Sequence, residues 1–136
     1  MSRSYSLPAL RVLLVDDQHD RRADLKQRIE ALGIRAIHEV DSGGEAIGLL
    51  HGHSFKIDLV ITDLAMEPFD GFHLIRTLRG SRDLQDTRIL VVTGLSDDEI
   101  AARGGLDEAT LCYAKPLSFQ RLHGYIDALV QRRSVG

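Results

Sequence analysis

At 136 residues, with 43% apolar content, three prolines and both charge signs interspersed, the chain fits one ordinary globular domain with a single core and leaves no room for a second. The formal net charge of -3 argues against general binding to nucleic-acid phosphates. The one cysteine, Cys112, cannot close an internal disulfide, and no apolar run approaches the roughly 20 residues that span a bilayer. The expected setting is soluble, reducing and cytoplasmic, with no nucleic-acid or membrane partner for this domain.

The opening "MSRSYSLPALR" lacks the uninterrupted apolar core of a secretory signal, so residues 1–9 read as a flexible N-terminal arm. The domain is expected over residues 10–131, with 132–136 a C-terminal tail or the start of a linker. "LRVLLVDD" reads as a strand, and "DRRADLKQRIEALG" as a helix with Leu25, Ile29 and Leu32 at helical spacing and Gly33 as its stop. "IRAIHEVD" alternates through Ile34, Ala36, His38 and Val40 like an edge strand. A helix follows in "SGGEAIGLLHGH", with Ser42 and Glu45 in capping-box spacing and Ala46, Leu49 and Leu50 on one face. The "HGH" of His51 to His53 has no third metal ligand with it and reads as a helix end.

"IDLVITD" is a continuous apolar strand, followed by the loop "LAMEPFDG" and a helix in which Phe72, Ile75 and Leu78 share a face. "TRILVVTG" is a fourth strand. The helix after it, "SDDEIAARGGL", is the least secure, because Gly104 and Gly105 would each cost about 1 kcal/mol inside it, so it is expected to be short or mobile. "ATLCYAKP" is the fifth strand. The last helix, "SFQRLHGYIDALVQRR", carries the strongest apolar stripe in Phe119, Leu122, Ile126, Leu129 and Val130. Five strands alternating with five helices imply an α/β fold, a doubly wound parallel sheet with helices on both faces.

Ligands of such sheets bind outside the carboxyl ends of the strands. Those ends read Asp16 and Asp17, then Asp41, Asp63, Thr93 with Gly94, and Lys115 with Pro116. In the strand order 2-1-3-4-5 the first and third strands are neighbours, and their aspartates converge on one crevice. Like charges that close raise each other's pKa unless a cation sits among them. Mg²⁺, which takes oxygen ligands from one or two carboxylates, is one candidate, and the Lys115 ammonium is the other. A carboxylate in that company is also equipped to attack phosphorus, since phosphoryl transfer needs mostly positioning and charge neutralisation.

The "VDD" of the first strand, "TDLAMEPFDG" after the third, "VTG" at the fourth and "KP" at the fifth resemble, in order and spacing, the receiver domain of two-component response regulators. The resemblance runs from about Leu10 to Val130 and implies a flavodoxin-like five-stranded sheet of order 2-1-3-4-5. It implies that Asp63 is the phosphoacceptor, that Asp17 binds Mg²⁺ directly and Asp16 through water, and that the Ala65 carbonyl completes the protein's metal ligands. It further implies that Thr93 hydrogen-bonds the phosphoryl group, Gly94 keeps the approach open, Lys115 pairs with a phosphate oxygen, and Pro116 follows a cis peptide. The donor would be a histidine kinase or phosphotransfer protein. The receiver would catalyse only its own phosphorylation and dephosphorylation rather than act as an enzyme on other substrates.

Three places depart from the family pattern. Cys112 stands where many receivers have a switching aromatic, and Tyr113, one place later, lies on the opposite strand face or takes that role through a register shift. Glu67 intervenes between Met66 and Pro68, with loop length preserved and Asp70 and Gly71 in place. Ala65 and Leu95, both apolar, occupy positions that tune dephosphorylation and would orient an attacking water poorly, which implies a long-lived phosphoryl group. The downstream target is not readable. The chain would act by docking to a partner or relaying its phosphoryl group, or it would be a receiver segment of a longer protein whose linker begins at "QRRSVG". A phosphorylation-dependent dimer through the fourth helix, fifth strand and fifth helix would engage Arg121 and Tyr125.

Each residue has a plainer reading. Asp16 and Asp17 are favoured helix caps, Asp63 a turn residue, Thr93 a strand former, Lys115 a solvated charge, and Cys112 a small core residue. Their joint placement favours the phosphoacceptor over a receiver-like interaction module that works without phosphorylation. A dehalogenase-like phosphatase fits worse, because Gln18 follows where a second aspartate two positions after Asp16 would be needed.

Overall fold

The computed structural model describes residues 9–52, 56–66, 70–107 and 110–135. The arm over residues 1–8, His53, and the loop residues Glu67 and Pro68 lie outside them. Among the described residues the apolar runs become β1 (Arg11–Val15), β2 (Ala36–Val40), β3 (Leu59–Thr62), β4 (Arg88–Thr93) and β5 (Leu111–Ala114). All pair in parallel, in the order β2-β1-β3-β4-β5. The helices between them are α1 (His19–Ala31), α2 (Gly43–Gly52), α3 (Gly71–Gly80), α4 (Asp97–Ala102) and α5 (Phe119–Val135). This is the flavodoxin-like, doubly wound arrangement that the alternation implied.

Period-two geometry, with helices on both faces, explains why β1, β3 and β4 are apolar except at their ends, where Arg11, Thr62, Arg88 and Thr93 stand. Leu13, Val15, Val60, Ile89 and Val91 face one side of the sheet and pack with Ala46 and Leu50 of α2 and Phe72, Ile75 and Leu78 of α3. Val12, Leu14, Leu59, Ile61, Leu90 and Val92 face the other side, against Ile29 of α1 and Leu122, Ile126 and Leu129 of α5. Burying each such side chain is worth about 1.5–3 kcal/mol, so the two layers hold the sheet from both faces. Gly33, with φ of 104°, ends α1 in a backbone conformation that a Cβ would strain.

Two local expectations change. Phe119, the first residue of α5, is 40% exposed and stacks on His123 rather than joining the α5 stripe. Ser42 Oγ accepts from the Glu45 amide, but the Glu45 carboxylate reaches the Asp41 amide at 3.5 Å instead of closing a box on Ser42. A reciprocal capping box forms at α4, where Ser96 and Glu99 satisfy each other's amides. α4 is short, as expected, with six residues; Gly104 and Gly105, at φ of 105° and 72°, lie past its end rather than within it.

Candidate functional site

The register of β1 on β3 aligns Val15 with Thr62, so the next residue of each strand, Asp16 and Asp63, emerges at the same end of the sheet. β5 brings Lys115 there, and its amide donates to the Thr93 carbonyl at 2.9 Å. The Asp63 side chain is only 5% exposed, and an uncompensated carboxylate so placed would cost several kcal/mol. It is compensated on both oxygens. Oδ1 accepts the amides of Leu64 (2.6 Å) and Ala65 (3.3 Å), and Oδ2 accepts Lys115 Nζ (2.6 Å) and Arg21 Nη2 (3.4 Å).

Gly71 sets the backbone beneath this carboxylate. Its amide donates to the Leu64 carbonyl at 3.0 Å, and a Cβ there would collide with the Asp63 carbonyl oxygen and lie 2.8 Å from Leu64 Cα. Asp70 caps α3 by accepting the His73 amide at 2.9 Å, which orients the helix on that glycine.

Asp16 does two things. Its Oδ1 accepts the Gln18 amide at 2.9 Å, shaping the entry to α1, and also accepts Arg21 Nη2 at 3.2 Å. Arg21 thus joins the Asp16 and Asp63 carboxylates through one nitrogen. Asp17 is exposed and stands outside these bonds. Arg22 braces the same corner, donating to the Asp16 carbonyl at 2.7 Å and to Glu39 at 3.1 Å. Burial alone would raise the Glu39 pKa, but bonding to Arg22 and Lys26 holds it below the usual carboxylate value.

Thr93 is buried at the end of β4, and its Oγ1 accepts the Leu95 amide at 3.1 Å rather than touching Asp63. An added Cβ at the exposed Gly94 would meet open space. The Lys115–Pro116 peptide is cis. Cys112 packs on the α2–α3 side with Leu95 and Ile100, and Tyr113 packs on the α1–α5 side, so the two take opposite faces without a register shift. Burial, and after it Asp97, pushes the Cys112 thiol up, away from thiolate chemistry. Arg121 lies over the Tyr113 ring, 5.5 Å from its centroid.

Among the described residues, no three His, Cys, Asp or Glu side chains are gathered as a metal cluster. The donor chemistry nevertheless suits Mg²⁺, which needs one or two carboxylates plus water rather than an all-protein cage. Asp16 and Asp63 both lie within 3.4 Å of a single positively charged nitrogen, so a cation can serve both. A groove of about 370 Å³ leads from them past Pro116 and Phe119 to Leu25 and Leu122, between α1 and α5.

Arg21 is the site residue that pattern reading missed. The signal was available: a basic side chain in the first turn of α1 opposes the helix dipole, and so calls for a local acid.

A response regulator receiver domain model matches residues 12–127. The chain is 30% identical over 126 residues to the chemotaxis protein CheY of Pseudomonas aeruginosa, covering 90% of this chain and 98% of that one. It is 34% identical over 132 residues to the virulence sensor protein BvgS of Bordetella bronchiseptica, covering 91% of this chain but only 10% of that far longer one. The signal receiver domain of a histidine kinase from Syntrophus aciditrophicus superposes with a TM-score of 0.80 at 27% identity, covering 91% of this chain and 92% of that one. Receiver domains as a family take part in two-component phosphorelays and bind Mg²⁺ at the phosphorylation site. With the sheet order, the acidic strand ends and the matched length in agreement, the chain belongs to the response regulator receiver domain family.

Proposed function

We propose that Asp63 accepts a phosphoryl group from a phosphohistidine of a histidine kinase or phosphotransfer protein, and that the chain thereby alters its partner-binding surface. The observation that carries this reading is the Asp63 carboxylate itself, buried, fixed on Oδ1 by two backbone amides, and faced on Oδ2 by two side-chain cations. A bond forms between a carboxylate oxygen and phosphorus as the imidazole nitrogen–phosphorus bond breaks, its electron pair staying on the nitrogen. Backbone amides keep the nucleophile from turning, and Lys115 neutralises charge on the phosphoryl oxygens. Asp16, Asp17, Asp63 and the Ala65 carbonyl would hold Mg²⁺, which supplies further charge neutralisation when bound.

Thr93 would exchange the Leu95 amide for a phosphoryl oxygen, which couples the site to the loop leading into α4. Gly94 leaves that approach open. Pro116 shapes the turn beside Lys115, and Cys112 shares a packed layer with Ile100 of α4, the face on which the switch would act. The side chains of Ala65 and Leu95 offer no polar atom to an attacking water, so the aspartyl phosphate is long-lived and the chain catalyses only its own modification and its reversal. The work is cytoplasmic, as the kinase partner requires.

The test is intact mass after incubation with acetyl phosphate, with and without Mg²⁺, beside Asp63→Asn. A metal-dependent gain of one phosphoryl group that the variant lacks supports the reading. No gain in folded protein that also fails to bind Mg²⁺ would move the conclusion to a phosphorylation-independent interaction module.

A further inference from the structure

We infer that Arg21 is a tethered counter-cation that competes with the divalent metal for the gap between Asp16 and Asp63. The inference rests on the proposed reading of these aspartates as the metal-dependent phosphorylation site. Arg21 Nη2 stands 3.2 Å from Asp16 Oδ1 and 3.4 Å from Asp63 Oδ2. Mg²⁺ held by these carboxylates, directly or through a bound water, would bring its charge beside the guanidinium and repel it. The two cations therefore exclude one another, and metal entry requires Arg21 to swing out.

Arg21 is built to leave, in contrast to Lys115. Its side chain is 40% exposed against 20% for Lys115, and its contact with Asp63 is 3.4 Å against 2.6 Å. It also stands in the first turn of α1, where the helix dipole works against a positive charge, so its attachment depends on the two carboxylates. Arg22, one position on, is tied elsewhere by the Asp16 carbonyl and Glu39, and cannot replace it. The consequence is a raised metal threshold: the protein carries its own cation, and Mg²⁺ must displace it before the phosphoryl chemistry is set up.

Calorimetric titration with Mg²⁺ tests this in the full chain, comparing wild type, Arg21→Ala and Arg21→Gln. The glutamine variant keeps a donor and much of the length while losing the charge. Both variants should bind Mg²⁺ about two- to five-fold more tightly, as expected for release of a partly exposed ion pair. Melting in EDTA should show both variants less stable than wild type, with a larger gain in Tm on adding Mg²⁺. The added affinity should vanish when Asp16→Asn is combined with Arg21→Ala. Equal or weaker Mg²⁺ binding in both folded variants, with wild type binding normally, overturns the competition and leaves the phosphorylation reading standing. Absence of Mg²⁺ binding in all three folded proteins overturns the metal reading and this inference with it.

Discussion

Asp58 and Asp63 bracket the same four-residue strand, β3, and are buried to nearly the same degree, at 8% and 5% exposure. Burial does not distinguish them; their partners do. Asp58 joins the starts of three strands: its Oδ2 accepts the Arg11 amide at 2.9 Å, its own amide donates to the Arg11 carbonyl, and its carbonyl accepts the Arg88 amide. Asp63 holds backbone amides on one oxygen only, and its other oxygen faces Lys115 and Arg21. A carboxylate engaged by backbone donors is fixed for as long as the fold is. One that faces flexible side-chain cations can exchange them for a metal or a phosphoryl group, because the donors move without unfolding anything.

The contrast breaks most sharply under substitution. Asp63→Asn should abolish phosphoryl uptake while leaving the melting temperature within a few degrees of wild type. Asp58→Ala should do the reverse, retaining uptake and losing about 1.5–3 kcal/mol of stability in chemical denaturation, the worth of a hydrogen bond to a charged group. If Asp58→Ala loses uptake at full stability, the division between the two ends of β3 is wrong.

Gly71→Ala joins both effects, because the added Cβ meets the Asp63 carbonyl and Leu64 Cα. It should cost about 2–3 kcal/mol and slow phosphoryl uptake in the fraction that stays folded. A stable, fully active variant would mean that α3 can shift without moving Asp63.

The smallest effect belongs to the α4 capping box. The Ser96 backbone and side chain hold the Glu99 pKa below its ordinary value of 4.5. A carboxyl lowered on folding contributes stability above its unfolded pKa and loses it as pH falls through the lowered native value. Glu99→Gln should therefore lower stability slightly at neutrality, with the difference from wild type shrinking as pH falls below about 4.5. The check is a series of thermal melts from pH 3 to pH 7, and a difference that is absent at pH 7 or grows toward pH 3 would count against the capping account.

The one-sided patterns were the legible ones. Leu25, Ile29 and Leu32 announced α1, and the uninterrupted Val, Leu and Ile of β1, β3 and β4 announced a sheet covered on both faces, because period and composition are local properties. The acids, threonine and lysine at the strand ends could be named from position alone once the sheet was inferred. What local pattern could not supply was the choice among equivalent partners. Phe119 continues the α5 stripe in sequence yet lies outside the core, exposed at the helix start and stacked on His123. Glu45 has the spacing of a capping box, but its carboxylate goes to Asp41, a choice decided by the turn from β2 into α2.

By itself, the sequence determined the order of elements, the two-sided core and the roster of charged residues at one end of the sheet, because each follows from periodicity and strand polarity. The tertiary structure alone decided that Cys112 and Tyr113 face opposite layers, that Thr93 turns to Leu95, and that Arg21 rather than Asp17 completes the cluster around Asp63. Those outcomes depend on distances across the sheet, where donors 42 and 52 positions from Asp63 in the chain meet on the same carboxylate oxygen.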